Sequence, residues 1–341
     1  MRFGQYLQDL RKARGWSQAE LADRLGVSRQ TVVALEQNHH GPSLEVAIRI
    51  ANLFNLTMDS LVSAMKEPLH GVQLFPTPWL SVGLQPVIWS QVGSARVLVP
   101  TALVADSALP DALWDPSSRT VLPLPGARSP ERVILMGGCD PFMPWLSQIF
   151  QDHLPGYWIQ PMPLSSSRAL KAWQDRRIHI AGTHLFDPVR GCYNPREWVS
   201  DPHLAIPYLL WEEGLMTRAG EGEIRRLAIR EPGSEAHALY QRHRQPLDPE
   251  AEIFTTHRGV LEAVSAREGW AGVGLGSMAR LAGLSFEPWA QESYDLWIHQ
   301  EDAESLWAKA LLEVIRGERL SSRLIAVPHV ALAAGSPRIQ S

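Results

Sequence analysis

Residues 17–38 read SQAELADRLGVSRQTVVALEQN, two short amphipathic stretches joined through Gly26. Ser17 stands three residues before Glu20. That is the spacing of a capping box, in which each side chain satisfies a backbone amide of the other, so a helix opens at Gln18 and carries Leu21, Ala22 and Leu25 inward. Gly26 ends it, because glycine adopts the left-handed conformation that closes a helix. Ser28 then caps a second helix with Val32, Leu35 and Val33 on its inner face and Arg29, Gln30 and Thr31 exposed on its first turn. Working outward, Phe3, Leu7, Leu10 and Ala13 recur at helical spacing before Gly15. Ser43 opens a further helix through Leu44, Ala47, Ile48 and Ala51, and Met58, Leu61 and Val62 suggest a short fifth. Residues 1–66 are therefore expected to form an all-α domain of five short helices.

The 341-residue length favours further folded units behind this one. A hydrophobic fraction of 45% with 20% charged residues excludes global disorder. No apolar run approaches the ~18 residues that cross a bilayer, and the charged first residues do not resemble a secretory leader. Cys139 and Cys192 are too few for a disulfide framework and are not spaced as a metal knuckle, which points to the reducing cytoplasm. Net charge is −4 but unevenly spread: residues 1–66 carry eight Lys/Arg against six Asp/Glu, leaving 24 against 30 in the remainder. A nucleic-acid surface therefore belongs at the N-terminus, with no membrane partner.

Residues 67–130 are rich in proline and read either as a small β-rich connector, with strands such as Ala95–Val99 and Thr120–Leu124, or as a meandering linker. From residue 131 to 320 strands and helices alternate. Strands are expected at Arg132–Met136, Tyr157–Met162, Ile178–Gly182, Ala205–Leu210, Leu227–Arg230, Gly272–Leu275 and Tyr294–Ile298. Helices fall between them near Phe142–His153, Ser166–Asp175, Ser234–His243, Thr256–Glu268, Ser277–Ala282 and Ala303–Arg316, a pattern that gives a mostly parallel sheet. Residues 321–341 form a tail that supplies a last strand or frays.

The run SQAELADRLGVSRQTVVALEQN, continued by PSLEVAIRIANLFNLTMDSLV, resembles the phage-repressor-like (XRE) helix-turn-helix family over roughly the first 65 residues. The resemblance implies that the helix after Gly26 enters the major groove of a double-stranded operator. Arg29, Gln30 and Thr31 become the base-edge candidates, with Ala34 one turn on and Asn38 at the helix end as a further DNA contact. Arginine pairs bidentately with guanine and glutamine with adenine. Gln18 and Ser28 stand at helix N-termini, where free amides also attract phosphate. Arg11 and Glu36 match the family's internal ion pair and are scaffold rather than readers. His39 and His40 are loop residues near phosphate rather than metal ligands.

The separated segments MGGCDPFMPWL, SSSRALKAW, IAGTHLFDP, REPGSEAH, THRGVLEAV and GVGLGSMARLAGLSFEPWAQESYDL resemble the periplasmic-binding-protein-like domain of bacterial regulators, akin to type II molybdate-binding proteins. This implies two α/β lobes closing on a ligand, with helix N-termini and hydroxyls aimed at the cleft. Matching positions are Cys139, Asp140, Ser166, Thr183, His184, Ser234, Thr256, His257 and Tyr294. Several of these have a plain alternative: Ser166, Ser234 and Thr256 as helix caps, His184 and His257 as buried histidines, Cys139 as a small core residue. The chain departs from the family in Gly233-Ser234-Glu235-Ala236-His237, where a Gly-Ser-Gly-Thr-Arg-like run is usual, and in Ser165 and Trp270, where glycine and aspartate are common. Glu235 would repel a dianion such as molybdate or tungstate, so an organic ligand stays open beside an oxyanion, and no cofactor is required.

No G-x-S-x-G elbow, P-loop or H-E-x-x-H occurs, and the glycines at 272–276 lack the full dinucleotide fingerprint. An enzyme is therefore not expected. The reading is a homodimeric regulator on an inverted-repeat operator, its grip altered by a small effector. The alternative is a regulator whose C-terminal domain is a ligand-free dimerisation or protein-interaction module.

Overall fold

The computed structural model describes residues 3–37, 39–58, 61, 72–104, 108–117, 119–124, 126–244, 249–333 and 338–339. The chain divides into two compact units, Met1–Glu131 and Arg132–Ser341.

In the first unit, α1 (Phe3–Ala13) is followed by α2 (Gln18–Leu25), α3 (Arg29–Glu36) and α4 (Leu44–Phe54). The capping box is formed in both directions: Ser17 Oγ accepts from the Glu20 amide at 3.2 Å, and Glu20 Oε2 accepts from the Ser17 amide at 2.7 Å. Gly26 closes α2 at φ 62°, and Asn55 closes α4 in the same left-handed region. Phe3, Leu7, Leu21, Leu25, Val32, Leu35, Ile50 and Phe54 form the core. Gly4 lets α1 lie against the end of α3, where an added Cβ would stand 2.2 Å from the Glu36 carbonyl oxygen. Two expected inward residues face outward instead: Leu44 and Ile48 are 72% and 43% exposed. The helix is rotated so that Ala47, Ile50, Ala51 and Phe54 make the apolar stripe. The fifth helix lies largely outside the described residues, although Leu61 is buried in the same core and Met58 packs against it.

The proline-rich stretch holds a five-stranded sheet ordered β1-β3-β2-β4-β5, built from β1 (Val72–Leu74), β2 (Gln85–Val92), β3 (Ala95–Pro100), β4 (Ala112–Asp115) and β5 (Thr120–Pro123). Val87, Trp89, Leu98, Ala112 and Trp114 give it a core of its own. Arg128 pairs with the buried Asp111 through two N–H donors at 2.7 and 2.8 Å, tying the exit of the sheet to its interior.

The second unit is organised by two strands of 15 residues, β11 (His203–Thr217) and β15 (Ser285–His299), paired antiparallel along their length. On one flank, β6 (Val133–Gly138), β7 (Trp158–Pro163) and β8 (Ile180–Thr183) form a parallel group that joins the C-terminal part of β15 through β8. With α5 (Met143–His153), α6 (Ser166–Gln174), α10 (Leu306–Arg316) and α11 (Glu318–Leu324) this makes the first lobe. On the other flank, β12 (Arg226–Arg230), β13 (Ala251–Phe254) and β14 (Trp270–Leu275) are parallel and join the C-terminal part of β11 through β14. They carry α7 (Glu235–His243), α8 (His257–Ala266) and α9 (Gly276–Leu281), the second lobe. A short hairpin of β9 (Phe186–Asp187) and β10 (Cys192–Tyr193) follows β8.

The alternation read from the sequence is thus a parallel sheet in each lobe, with β11 and β15 as the antiparallel spine between them. Of residues 321–341, read as a tail that supplies a last strand or frays, the described part supplies a helix end and strands. α11 continues through Leu324, and β16 (Val330–Leu332) and β17 (Arg338–Ile339) both pair with β11. The free edge of β11 beside β14 would otherwise expose unpaired backbone groups, and the returning chain covers it.

Candidate functional site

On α3, Arg29 and Gln30 are exposed on the first turn, and Thr31 is half-buried. Ser28 caps the helix by accepting from the Thr31 amide at 3.1 Å, and its hydroxyl also meets Thr31 Oγ1 at 2.8 Å. Gln18 is engaged elsewhere: its amide donates to Glu36 Oε2 at 2.9 Å. Glu36 accepts in addition from Arg11 Nε at 2.6 Å and Arg11 Nη2 at 3.0 Å, while Arg11 Nη1 donates to the Trp16 carbonyl. Burial would raise the Glu36 carboxyl, but the Arg11 and Gln18 hydrogen bonds outweigh it and hold the group below the usual carboxylate range. Arg11 and Glu36 therefore lock α1 to α3, and Gln18 extends that lock to the start of α2. Asn38 lies outside the described residues.

In the second unit, Cys139 follows β6, Ser166 opens α6 and His184 follows β8, and the three converge. Cys139 Sγ lies 3.1 Å from His184 Nε2 and 3.7 Å from Ser166 Oγ, which also accepts from the His184 amide at 3.3 Å. The other expected residues are placed differently. Ser234 and Thr256 act as caps, accepting from the His237 amide at 3.2 Å and the Gly259 amide at 2.9 Å. Thr183 donates to Asn194 Oδ1 at 3.0 Å and so fixes the turn after β8. Asp140 is buried, with one oxygen accepting from the Phe142 amide at 2.7 Å, and burial pushes its pKa up to about 7. Tyr294 is a brace: its phenol sits over Gly138 and Gly182, where an added Cβ would come within 2.0 and 2.1 Å of the hydroxyl.

The residues that complete this group are Glu213 on β11 and Glu292 on β15, both 0% exposed, and neither was foreseen. Glu292 is closely held. It accepts from His184 Nδ1 at 2.6 Å, from its cross-strand neighbour Trp211 through Nε1 at 2.9 Å, and from the Tyr193 hydroxyl at 3.2 Å. A register shift between Glu213 and Gly214 accompanies the buried placement of Glu213, in keeping with the way bulges re-aim side chains. No donor among the described residues reaches either Glu213 oxygen, and His257 Nδ1 stands 3.8 Å away, also without a partner.

These contacts set the charges. Glu213 is pushed well above the usual range by burial and by Glu292 beside it, so it keeps its proton, which it can offer to Glu292. Burial would also raise Glu292, but His184 and Trp211 overcome it and keep the group ionised. Burial opposes charge on His184, yet the Cys139 sulfur and Glu292 outweigh it and favour the imidazolium. His257 is driven the other way by burial, Arg230 and His184, and is neutral.

The lobes meet across this cluster. Ser167 Oγ donates to the Gly233 carbonyl at 2.6 Å, and the Phe186 amide donates to Glu235 Oε2 at 3.1 Å. Glu235, read from sequence as a repulsive intrusion, is neutralised by Arg242 at 2.7 Å, whose guanidinium also lies over the Phe186 ring.

A capped bihelical unit within an all-helical domain, followed along the chain by a two-lobed α/β domain whose lobes share paired strands, is the architecture of a DNA-binding regulator. Residues 7–61 match the helix-turn-helix family, and residues 147–316 match the PBP superfamily domain. An uncharacterized HTH-type transcriptional regulator of Archaeoglobus fulgidus is 38% identical over 65 residues, which is 19% of this chain and 93% of that one. The HTH-type transcriptional regulator AnsR of Bacillus subtilis is 38% identical over 61 residues, 18% of this chain and 53% of the relative. A crystal structure from Clostridium perfringens, provisionally assigned as a phosphate ABC transporter substrate-binding protein with bound phosphate, superposes on 59% of this chain and 99% of its own, with TM-score 0.49 and 12% identity. The chain belongs to the helix-turn-helix transcriptional regulators.

Proposed function

We propose that the operator affinity of this regulator is set by a small ligand held between the lobes of residues 132–341. The supporting observation is the seam itself, where polar side chains from both lobes and from the shared strands β11 and β15 converge in a buried cluster. A ligand that binds the closed arrangement better than the open one shifts the population between them by its differential affinity. In a homodimer on an inverted repeat, that shift alters the spacing of two reading helices, which must meet half-sites about 34–36 Å apart. Arg29 and Gln30 are the base readers, with Thr31 and Ser28 at the phosphate edge. The chain binds rather than turns over its ligand, and it works in the cytoplasm where its operator lies.

Fluorescence anisotropy on a labelled operator selected from genomic fragments tests this. Arg29→Ala and Gln30→Ala should each weaken the specific complex by about 1–3 kcal/mol and leave non-specific binding almost unchanged. If no fragment is selectively retained, the DNA-reading assignment is wrong. If operator affinity and melting temperature both ignore a broad panel of anions, cations and metabolites, the ligand-free dimerisation reading replaces the effector.

A further inference from the structure

The buried cluster at the seam has a composition that packing does not account for. His184, Glu213 and Glu292 each offer a ligand atom within 4.8 Å of the others, and all three are buried. Two carboxyl groups face one imidazole there. Buried carboxyl groups ordinarily find hydrogen-bond partners, and leaving even a neutral one without them costs about 1–3 kcal/mol. Yet apart from the proton it can share with Glu292, Glu213 has no hydrogen-bond partner among the described residues, and neither has the Nδ1 of His257 facing it from the second lobe. They are aimed at the same space, 3.8 Å apart.

We propose that this cluster binds a divalent first-row transition-metal ion, with His184, Glu213 and Glu292 as ligands and His257 closing on it from the second lobe. A dication that displaces the Glu213 proton and the proton His184 shares with Glu292 balances two carboxylates with a neutral imidazole, whereas an oxyanion brings charge of the same sign as the Glu292 carboxylate. Imidazole with carboxylate suits zinc, manganese, iron or cobalt, and the absence of a thioether or paired thiolates disfavours copper(I). The supporting contacts are already built. Trp211 and Tyr193 orient Glu292, and Cys139 sits on the second ring nitrogen of His184, as outer partners of metal ligands commonly do. Tetrahedral ligands at about 2.0–2.2 Å from an ion stand ~3.4 Å apart, so the hydrogen bond from His184 to Glu292 opens by under ~1 Å when an ion replaces the shared proton. Because β11 and β15 are the spine, His184 belongs to the first lobe and His257 to the second, a bound ion fastens the lobes together. Its effect on DNA rests on the effector reading above, whereas the site itself does not.

The test uses the full-length, tag-free chain stripped with a chelator and titrated with Co2+, Zn2+ and Mn2+. Stoichiometric uptake should appear as visible Co2+ absorption bands and as a metal-dependent rise in melting temperature. Glu213→Gln keeps the size and the donor of the protonated acid, so the metal-free protein should melt as before while affinity falls by about 100-fold or more. His184→Asn should lose affinity similarly, and Cys192→Ser, on the exposed β10 cysteine, should lose none. No uptake of any of the three ions, or equal uptake by Glu213→Gln and His184→Asn, overturns the site. Uptake at this site with no change in operator affinity overturns the metal as effector. Absence of operator binding in every metal state counts instead against the DNA-reading assignment, and uptake lost in Glu213→Gln would still establish the site.

Discussion

In the helical domain, Glu36 is buried against Arg11 and Gln18, and both its oxygens accept from them, while a further Arg11 donor goes to the Trp16 carbonyl. At the seam between the lobes, Glu292 is held as tightly by His184, Trp211 and Tyr193, but a second carboxyl, Glu213, lies beside it and accepts from no donor among the described residues. One group is closed and the other has a spare acceptor. The first behaves as a rivet between helices, because both carboxylate oxygens are already held by charged or amide donors. The second is kept apart from solvent with its bonding incomplete, which is the state in which a buried group responds to an arriving ligand.

Substitutions can break this contrast, and the largest effect is expected in the rivet. Glu36→Ala leaves the Arg11 guanidinium buried without its acceptor and should cost about 3 kcal/mol, the low end for a broken buried pair, with loss of operator binding through unfolding. A circular-dichroism melt followed at helical wavelengths checks it. Glu292→Gln should cost less, about 1–2 kcal/mol, because Glu213 stands ready to ionise in its place beside His184. The double change Glu213→Gln with Glu292→Gln should then exceed the sum of the single ones, and additivity in a double-mutant cycle would show that the two carboxyls do not substitute for one another. Glu213→Gln alone should move stability by under ~1 kcal/mol.

The smallest effect is a pH dependence that sharpens the comparison. Glu36 has a folded-state pKa below its ordinary value, so its contribution is fully present above the unfolded-state pKa of about 4.3 and is lost as pH falls toward the folded value. The stability gap between the parent chain and Glu36→Gln should be flat from pH 8 to 5 and narrow below about pH 4. A gap that stays constant under acid would mean that the hydrogen bonds, not the charge, hold the helices.

These two groups also differ in how far they could be read from sequence. Ser17, Glu20, Gly26 and Ser28 punctuate the helices through local chemistry, and Arg11 with Glu36 follows from the motif they define. In the α/β unit the alternation of strands and helices was equally visible, and Cys139, Ser166 and His184 lie at strand and helix ends where such sites gather. Glu213 and Glu292 carried no such mark. Pro207, Gly214 and Pro288 interrupt the apolar alternation of β11 and β15, so each strand read as shorter than its 15 residues. An acid within a strand ordinarily faces water. The signal that was present is parity: Glu292 shares a face with Tyr294, Leu296 and Ile298, and Glu213 with Leu209 and Trp211, all buried. Reading it required the register across the bulge at Gly214, which only the paired backbone supplies. Leu44 and Ile48 failed for a related reason, since α4 offers a wider apolar surface than one stripe and the packing partner chose the face.

The return of the chain to its own spine has a consequence for the order in which the protein is made. The second lobe lies between β11 and β15 in sequence, whereas the first is split, with β6 to β8 made early and β15, α10 and α11 made last. A nascent chain halted before Ser285 holds a finished set of reading helices, whose contacts are local, and a first lobe whose strand β8 has no β15 beside it. During synthesis, therefore, the helix-turn-helix is complete before the first lobe of the second unit has its last strand and helices.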